Sequence, residues 1–553
     1  MDITTAERLD QSRRSAAARA AMLAELEHVP FDVLVIGGGI TGCGVARDAT
    51  MRGLSVALVE RDDFGSGTSS RSSRLVHGGL RYLEHGELHL VFESSRERRI
   101  LMRIAPHLVR PLRFVWPVYE HARVPRWKLG AGLMLYDALS LFRNVGTHKR
   151  LDTQALLALE PGLKREGLLG GASYFDARTD DIRLTLANAC AAASGGATVA
   201  NHVEVRGIES GFGATAVDTL TGRTLRISAR AIVNATGPWS DSLRKMADPT
   251  ARIALRRTKG AHISVPRRKV ANIGAITALA PADGRVLFVL PDGDRTIVGT
   301  TDNDYDGPAD AVRATASDVS YLLEAANTYF PDARLTTADV IAAWAGIRPL
   351  VADGGADPGR VSREHAIAWS APRFLTVSGG KLTTYRSMAA EVVDHITRFL
   401  DRQSRAHAAT DSVVLPGGDI APLDEELATA RSVTLLSTQS DHLVYAYGSA
   451  WRDVWALAQA DPTLAAPVAP HLPYITAELR YAVEHEMALT LADLLIRRTH
   501  IAFETPDHGM STAPMAARIV APLLKWGSDR VAQEIKRYES EAARIFGGKE
   551  SRG

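Results

Sequence analysis

The sequence predicts a mixed α/β and α+β protein built from three parts. They are a discontinuous Rossmann-type dinucleotide-binding domain, an antiparallel-sheet domain and an all-helical C-terminal domain. A glycine-rich turn follows an apolar run at residues 33–36, which predicts the first part. Residues 250–380 are rich in strand signals and residues 420–547 in helical ones, which predicts the other two. The length of 553 residues agrees, because it exceeds what one compact core accommodates.

The first element is a βαβ unit that carries the motif G-x-G-x-x-G. Gly37 permits a tight turn, Gly39 lets a pyrophosphate approach the backbone, and Gly42 lets the next helix pack against the strand. The helix directs its free N–H groups and its dipole toward the phosphate. Glu60 ends the second strand, where a carboxylate accepts hydrogen bonds from a ribose 2′-OH. Since all these features lie within about 30 residues, the context indicates a dinucleotide site.

The next segments extend this unit. Residues 65–73 are rich in small hydroxyl side chains and are predicted to wrap the cofactor's phosphates. Residues 87–145 are predicted to be helical and basic, and the apolar run at 129–142 is too short to span a bilayer. Another buried strand ends in Ala235-Thr236-Gly237, which fits a Rossmann domain assembled from separated segments.

The remaining elements complete the prediction. Further strand candidates are residues 261–265, 286–290, 296–300, 340–345 and 374–377. Gly379 and Gly380 then form a second glycine turn before a helix that runs to about residue 400. We predict these boundaries: a polar N-terminal arm, 1–30; the dinucleotide-binding domain, 31–150, 172–240 and 355–400; an interleaved substrate domain, 90–170 and 245–350; and a helical C-terminal domain, 410–547.

The composition of the chain limits its expected partners and location. The chain is 46% hydrophobic and 23% charged, which is ordinary for a folded soluble protein. The formal net charge of +2 predicts no nucleic-acid partner, and no metal site is expected. Two cysteines suit a reducing compartment, and no run reaches the length of a transmembrane helix. We therefore expect a cytoplasmic protein that associates with the cytoplasmic membrane only peripherally.

Several motifs together resemble one family, the FAD-dependent, aerobic or respiratory glycerol-3-phosphate dehydrogenases of the D-amino-acid-oxidase-like group. The most specific strings are His-Gly-Gly-Leu-Arg-Tyr at 77–82 and Gly-Gly-Lys-Leu-Thr-Thr-Tyr at 379–385. The glycine turn, Lys-Gly-Ala-His at 259–262, Gly-Thr-Thr-Asp at 299–302 and Gly-Ile-Arg-Pro-Leu at 346–350 also match. The likeness runs from about residue 31 to about residue 540.

The resemblance implies that sn-glycerol 3-phosphate is oxidised to dihydroxyacetone phosphate. Non-covalently bound FAD takes the hydride, and the electrons pass to a membrane quinone. An anionic lipid surface is then an expected partner. The basic stretch at 96–128 is either such a docking surface or a solvated helix face. The sequence does not decide whether the protein forms a homodimer.

The resemblance also implies roles for particular residues. Arg81 and Tyr82 chiefly grip the phosphate, Arg348 lies by the glycerol oxygens, and Lys381 lies near both substrate and flavin. His77 and His262 are alternative candidates for the base that the C2 hydroxyl requires, so the catalytic set is His77, His262, Arg348 and Lys381. The cofactor set comprises Gly37, Gly39, Gly42, Glu60, Thr68, Ser69, Ser70, Ala235, Thr236, Gly237, Gly379, Gly380, Leu382 and Thr383.

Three alternatives stay open at the sequence level. A glycerol-3-phosphate oxidase would have the same pocket but would pass electrons to oxygen. An amine or amino-acid oxidase of the same flavoprotein group would need a carboxylate clamp in place of phosphate-binding cations. A non-catalytic FAD-bound or lipid-surface scaffold would not need the polar pocket strings that this chain retains.

Overall fold

A computed structural model of the chain describes residues 14–79, 87–140, 145–209, 213–351, 365–401, 409–433 and 437–547. Within these ranges the strands form two sheets, and helices cover the faces of the first sheet and make up the C-terminal region. The architecture is the predicted mixture of α/β and α+β.

The strands are numbered in chain order. They are β1 (Phe31–Ile36), β2 (Val56–Val59), β3 (Leu75–Val76), β4 (Val109–Tyr119), β5 (Lys149–Leu151), β6 (Leu168–Thr179), β7 (Thr198–Ala200), β8 (Val203–Glu209) and β9 (Gly213–Asp218). They continue with β10 (Thr224–Asn234), β11 (Leu255–Pro266), β12 (Ala275–Leu279), β13 (Val286–Asp292), β14 (Arg295–Gly299), β15 (Asn303–Asp304), β16 (Ala342–Val351), β17 (His365–Ala371) and β18 (Phe374–Gly379).

The helices are numbered in the same way. They are α1 (Arg19–His28), α2 (Ile40–Met51), α3 (Leu88–Ile104), α4 (Arg126–Leu139), α5 (Thr153–Leu159), α6 (Asp181–Ser194), α7 (Ser240–Ala247), α8 (Arg267–Val270) and α9 (Ala316–Tyr329). They continue with α10 (Tyr385–Phe399), α11 (Leu423–Val433), α12 (Ser437–Tyr447), α13 (Trp451–Ala460), α14 (Thr476–His485), α15 (Ile501–Glu504), α16 (Ala513–Leu524) and α17 (Ser528–Phe546).

The first sheet has β1 at its centre, parallel to β10 on one side and to β2 on the other. Its order is β17-β18-β10-β1-β2-β7. Every residue of β1 is buried, as expected for a parallel strand covered on both faces. Helix α2 packs against α6 and α10 beside this sheet. The strand at the end of the predicted intervening segment, β10, does join the sheet next to β1.

The second sheet has the order β15-β11-β14-β13-β12-β4-β6-β3, with β16 paired to β11. Its pairs are antiparallel except for β12 and β4, which run parallel. The strands predicted between residues 250 and 380 fall mainly in this sheet, although the segment at 374–377 belongs to β18 of the first sheet.

One sequence prediction is wrong in this region. Residues 87–145 were expected to be helical, but β4 lies between α3 and α4. Its aromatic and β-branched residues favour a strand, and it pairs with β6 along nearly its whole length. Arg110 and Arg113 gave the segment a basic character that concealed this pattern.

The C-terminal helices are joined to the first sheet through a buried ion-pair network. Asp63, which follows β2, accepts hydrogen bonds from Arg497 Nε at 2.8 Å and Arg498 Nη1 at 2.6 Å. Both arginines lie in a π-helical turn, Asp493–Arg498. Asn201 Nδ2 donates to the other Asp63 oxygen at 2.8 Å. Among the described helices, none is both long and apolar enough to cross a membrane.

Candidate active site

A cavity of about 770 Å³ lies between the two sheets, at the carboxyl ends of β1, β2 and β18. Open α/β sheets bind ligands at this edge. The predicted site residues that line it are Gly37, Gly39, Glu60, Thr68, Ser69, His77, Ala235, Thr236, Gly237, His262, Arg348, Gly379, Gly380, Lys381, Leu382 and Thr383. Folding therefore assembles segments that are far apart in the sequence into one wall.

Four predicted residues fall outside this lining set. Gly42 lies behind the first glycine turn, where an added Cβ would be 1.9 Å from the carbonyl oxygen of Gly37. Ser70 is buried, and its hydroxyl donates to the carbonyl oxygen of Gly67 at 3.3 Å. Both residues shape the backbone around the cavity. Arg81 and Tyr82 lie outside the described residues.

The first glycine turn has the geometry that its motif predicts. Gly37 has a φ of +108°, which an L side chain rarely adopts. Gly39 precedes α2, and a Cβ there would lie 3.2 Å from Ser69 Oγ. The same hydroxyl accepts a hydrogen bond from the N–H of Ile40 at 3.0 Å. The hydroxyl-rich segment therefore packs directly on the N-terminus of α2, where an anion is stabilised.

Glu60 is held in place by the backbone. Its Oε2 accepts from the N–H of Gly38 at 2.7 Å, and its Oε1 accepts from the N–H of Asp62 at 2.8 Å. Burial raises the pKa of Glu60 to about 6, and the nearby Asp62 carboxylate acts in the same direction. Each carboxylate oxygen keeps a second lone pair, so Glu60 can also accept from a ligand hydroxyl.

We expect FAD affinity to increase as pH rises through about 6, if Glu60 binds the ribose as predicted. The ionised carboxylate is the stronger acceptor, so FAD binding favours that form and is weakened when Glu60 is protonated. In Glu60→Gln, affinity at about pH 8 should fall roughly tenfold and the pH dependence should disappear. Fluorescence titration of apoprotein with FAD measures both. An unchanged pH dependence in the variant would exclude Glu60 from the ribose site.

The second glycine turn closes another side of the cavity. Gly379 and Gly380 have φ values of +74° and +83°. A Cβ on Gly380 would lie 2.3 Å from Met388 Sδ, so the turn packs tightly on α10. Thr383 Oγ1 donates to the carbonyl oxygen of His77 at 3.2 Å. This contact joins the second turn to the His77 segment, although the two are about 300 residues apart in the chain.

Arg348 is oriented by its neighbours. Its Nη1 donates to Asp302 Oδ1 at 2.7 Å, and its Nη2 donates to Thr300 Oγ1 at 3.1 Å. A Cβ on Gly260 would lie 2.7 Å from Nη2, so the absence of a side chain at Gly260 makes room for the guanidinium. Lys381 lines the same cavity. Two cations therefore border one space that an anionic ligand can enter.

The two candidate bases have different surroundings. His262 is buried, its Nε2 lies 2.9 Å from Ser73 Oγ, and its ring stacks on Trp344 with centroids 5.5 Å apart. Burial lowers the pKa of His262 to about 3, and the Arg348 charge acts in the same direction. The imidazole is therefore neutral at physiological pH and can accept a hydrogen bond. His77 lines the cavity and is partly exposed.

Many lining residues were not in the predicted site set, and three polar ones among them are Ser73, Asp176 and Asp302. Asp302 stands in the Gly-Thr-Thr-Asp string, which could have drawn attention to it. Ser73 lies at the end of the hydroxyl-rich segment. Asp176 lies inside β6 without any motif, so no local signal in the sequence pointed to it.

The cavity fits FAD. Its volume is in the usual range for cofactor sites, and a carboxylate follows β2 where a ribose is bound in Rossmann folds. The close approaches at Gly37 and Gly42 also match the requirements of this fold.

Comparison with known proteins agrees with this geometry. Residues 32–386 match the family model described as FAD dependent oxidoreductase. Residues 408–531 match the model described as the C-terminal domain of alpha-glycerophosphate oxidase. The fold and the site thus define an FAD-dependent oxidoreductase, which confirms the predicted fold class and cofactor.

Individual relatives identify the family within the FAD-dependent oxidoreductases. The chain is 39% identical to a glycerol-3-phosphate dehydrogenase from Synechocystis, over 93% of this chain and 96% of the relative. It is 35% identical to an aerobic glycerol-3-phosphate dehydrogenase from Staphylococcus haemolyticus, over 88% and 89% of the two chains. The crystal structure of the Bacillus halodurans glycerol-3-phosphate dehydrogenase with FAD matches with a TM-score of 0.78 and 31% identity, covering 96% of this chain and 98% of that one. The chain belongs to the FAD-dependent glycerol-3-phosphate dehydrogenase family.

Proposed function

We propose that this protein oxidises sn-glycerol 3-phosphate to dihydroxyacetone phosphate and delivers the electrons to a membrane quinone. The observation that carries the first part is the pair of cations, Arg348 and Lys381, in a cavity that also contains two histidines. The names of the relatives support the same substrate. FAD, bound non-covalently, supplies the hydride acceptor.

The substrate's charge determines how the pocket holds it. The phosphate dianion is attracted by the cations, and Arg348 binds the glycerol oxygens with a guanidinium that Asp302 and Thr300 already orient. Arg81 and Tyr82, which the family likeness assigns to the phosphate, complete this part of the proposal. Fixing one end of a small substrate places C2 for reaction, so phosphate binding energy contributes to the rate.

Removing hydride from C2 requires that the hydroxyl proton leave as well. A neutral imidazole within hydrogen-bond reach of that hydroxyl can take the proton, and His77 and His262 both line the cavity. Ser73 Oγ sits beside His262 Nε2 and so restricts which ring nitrogen is available to a ligand. The cations nearby favour the developing oxyanion and the reduced, anionic cofactor.

The decisive test is anaerobic mixing of the yellow holoprotein with glycerol 3-phosphate. We expect the visible absorbance of bound FAD to bleach, with saturation at low substrate concentration. Glycerol should reduce the protein very poorly, because it lacks the phosphate that the cations bind. Acid precipitation should release the colour into the supernatant, since the link is non-covalent. If glycerol 3-phosphate causes no bleaching, the proposed reaction is wrong.

An exposed apolar surface beside the cavity supports a membrane quinone as the electron acceptor. In helix α4, Trp127 is 73% exposed, Met134 is 55% exposed and Leu135 is 41% exposed. Lys128 and Leu129 of the same helix line the cavity. An amphipathic helix of this kind, with basic residues next to apolar ones, suits the interface of an anionic membrane. We therefore propose that the protein associates peripherally with the cytoplasmic membrane through α4.

We expect a Trp127→Glu/Met134→Glu double variant to lose binding to anionic phospholipid vesicles at low ionic strength. Two apolar side chains leave the interface and two like charges face the lipid, which together should weaken binding more than tenfold. Turnover with a quinone in vesicles should fall, whereas turnover with a small water-soluble dye should not. Ile253→Glu is the matched control, because Ile253 is 70% exposed but lies outside α4. Peroxide formation from oxygen with equal vesicle binding by all variants would favour the oxidase alternative.

A further inference from the structure

Asp176 is a carboxylate of the cavity wall that the roles above do not use. It lies in β6, is buried to 5% exposure and lines the cavity beside the aromatic residues Phe114, Tyr174 and Phe288. A charged group in such a wall is costly unless it is paired and hydrogen-bonded. Its partners therefore show what the group does.

Three donors converge on one oxygen of this carboxylate. Asp176 Oδ1 accepts from the N–H of Gly78 at 2.9 Å, from the Tyr136 hydroxyl at 2.8 Å and from the Arg98 guanidinium. A Cβ on Gly78 would lie 2.2 Å from the Tyr136 hydroxyl oxygen, so the packing around Oδ1 is dense. Among the described residues, none donates a hydrogen bond to Oδ2. The carboxylate is thus fixed in orientation, with one oxygen left for a further partner.

The surroundings limit what that partner is. Arg98 and Asp176 form a buried ion pair, which balances the carboxylate charge. A neutral donor therefore fits Oδ2 better than an ammonium group, since a second cation would add uncompensated charge to an apolar wall. A phosphate dianion has no proton to donate to Oδ2. The ligand chemistry that fits is a neutral donor, and the neutral donors of the proposed substrate are its hydroxyl groups.

The neighbouring segment places this hydroxyl site next to the reacting groups. Gly78, which donates to Asp176, directly follows His77, and Thr383 Oγ1 donates to the carbonyl oxygen of His77. Asp176 is therefore near a candidate base.

We propose that Asp176 Oδ2 accepts a hydrogen bond from the primary C1 hydroxyl of the substrate, and so selects polyol phosphates over phosphates that lack this hydroxyl. This inference rests on the proposed oxidation of glycerol 3-phosphate. It assigns to Asp176 the role of a specificity-determining residue, because it acts on the hydroxyl that is not oxidised. Its carboxylate and the cations then bind opposite ends of the substrate and orient C2.

The test compares glycerol 3-phosphate with propane-1,2-diol 1-phosphate, which has the phosphate and the C2 hydroxyl but lacks the C1 hydroxyl. The wild-type holoenzyme should prefer glycerol 3-phosphate by about tenfold or more in kcat/KM, the effect of one charge-assisted hydrogen bond. Asp176→Asn should lose about tenfold with glycerol 3-phosphate but less than about threefold with the analogue. The preference should therefore shrink toward unity.

Tyr136→Phe is the matched control. It removes one donor to Oδ1 but leaves Oδ2 and its charge, so it should lower kcat/KM for both substrates by the same factor. An Asp176→Asn variant whose preference equals that of the wild type overturns the inference. So does a wild-type enzyme that uses both substrates equally, a result that does not depend on whether the variant folds. If glycerol 3-phosphate fails to reduce the wild-type holoenzyme at all, the proposed function itself has failed.

Discussion

We expect Arg348→Ala to lose about a hundredfold in kcat/KM with glycerol 3-phosphate, equivalent to about 2.7 kcal/mol. The substitution removes the proposed charge-assisted contact to the substrate. It also removes the positive charge that now contacts Asp302 at 2.7 Å, so the site offers less positive charge to the phosphate. Steady-state kinetics with a soluble dye acceptor measure the loss, and the FAD content should stay equal to that of the wild type.

Two further variants test whether the loss of kcat/KM in Arg348→Ala comes from the substrate site. Arg348→Lys keeps the charge but cannot reach Asp302 and Thr300 together, so it should recover only part of the activity. Arg431→Ala removes a guanidinium that pairs with Asp441 on the surface and does not line the cavity, so it should leave kcat/KM unchanged. If Arg348→Ala keeps kcat/KM within threefold of the wild type, the glycerol oxygens are bound elsewhere.

The second large effect concerns stability. We expect Asp63→Ala to lower the free energy of unfolding by about 3–5 kcal/mol, because it leaves Arg497 and Arg498 buried without this carboxylate. The two guanidiniums are about 1% exposed at the side chain, so water cannot replace the lost partner. Thermal unfolding followed by circular dichroism should show a midpoint lower by several degrees. The loss of the contact between the loop after β2 and the C-terminal helices explains the size of the effect.

The control for this prediction is Asp441→Ala, which breaks an exposed pair with Arg431 and should change stability by less than about 0.5 kcal/mol. Asp63→Asn keeps one carbonyl acceptor, so its loss of stability should lie between those of Asp63→Ala and Asp441→Ala. If Asp63→Ala and the wild type have the same midpoint of thermal unfolding, the network contributes nothing to stability.

Local sequence signals were sufficient where a feature depends on a short stretch of chain. The βαβ unit with Gly37, Gly39, Gly42 and Glu60 spans about 30 residues, and its geometry followed directly from spacing and side-chain size. The parallel strand β10 was also predictable, because its buried half is a continuous apolar run. The missed strand β4 shows the limit, since basic residues at half-buried positions obscured its pattern and its partner β6 lies some 50 residues further on.

By itself, then, the sequence determined the fold class, the cofactor-binding unit and, through the family resemblance, a set of residues most of which line the cavity. Only the tertiary structure decided how these residues are held: that Asp302 orients Arg348, that Ser73 meets His262, and that three donors saturate one oxygen of Asp176. The physical reason is distance along the chain. Backbone preferences and packing periodicity act over a few residues, whereas these contacts join strands, turns and helices that meet only after both sheets have formed. A buried charge is likewise defined by what surrounds it, so Asp176 had no signature in the sequence of β6.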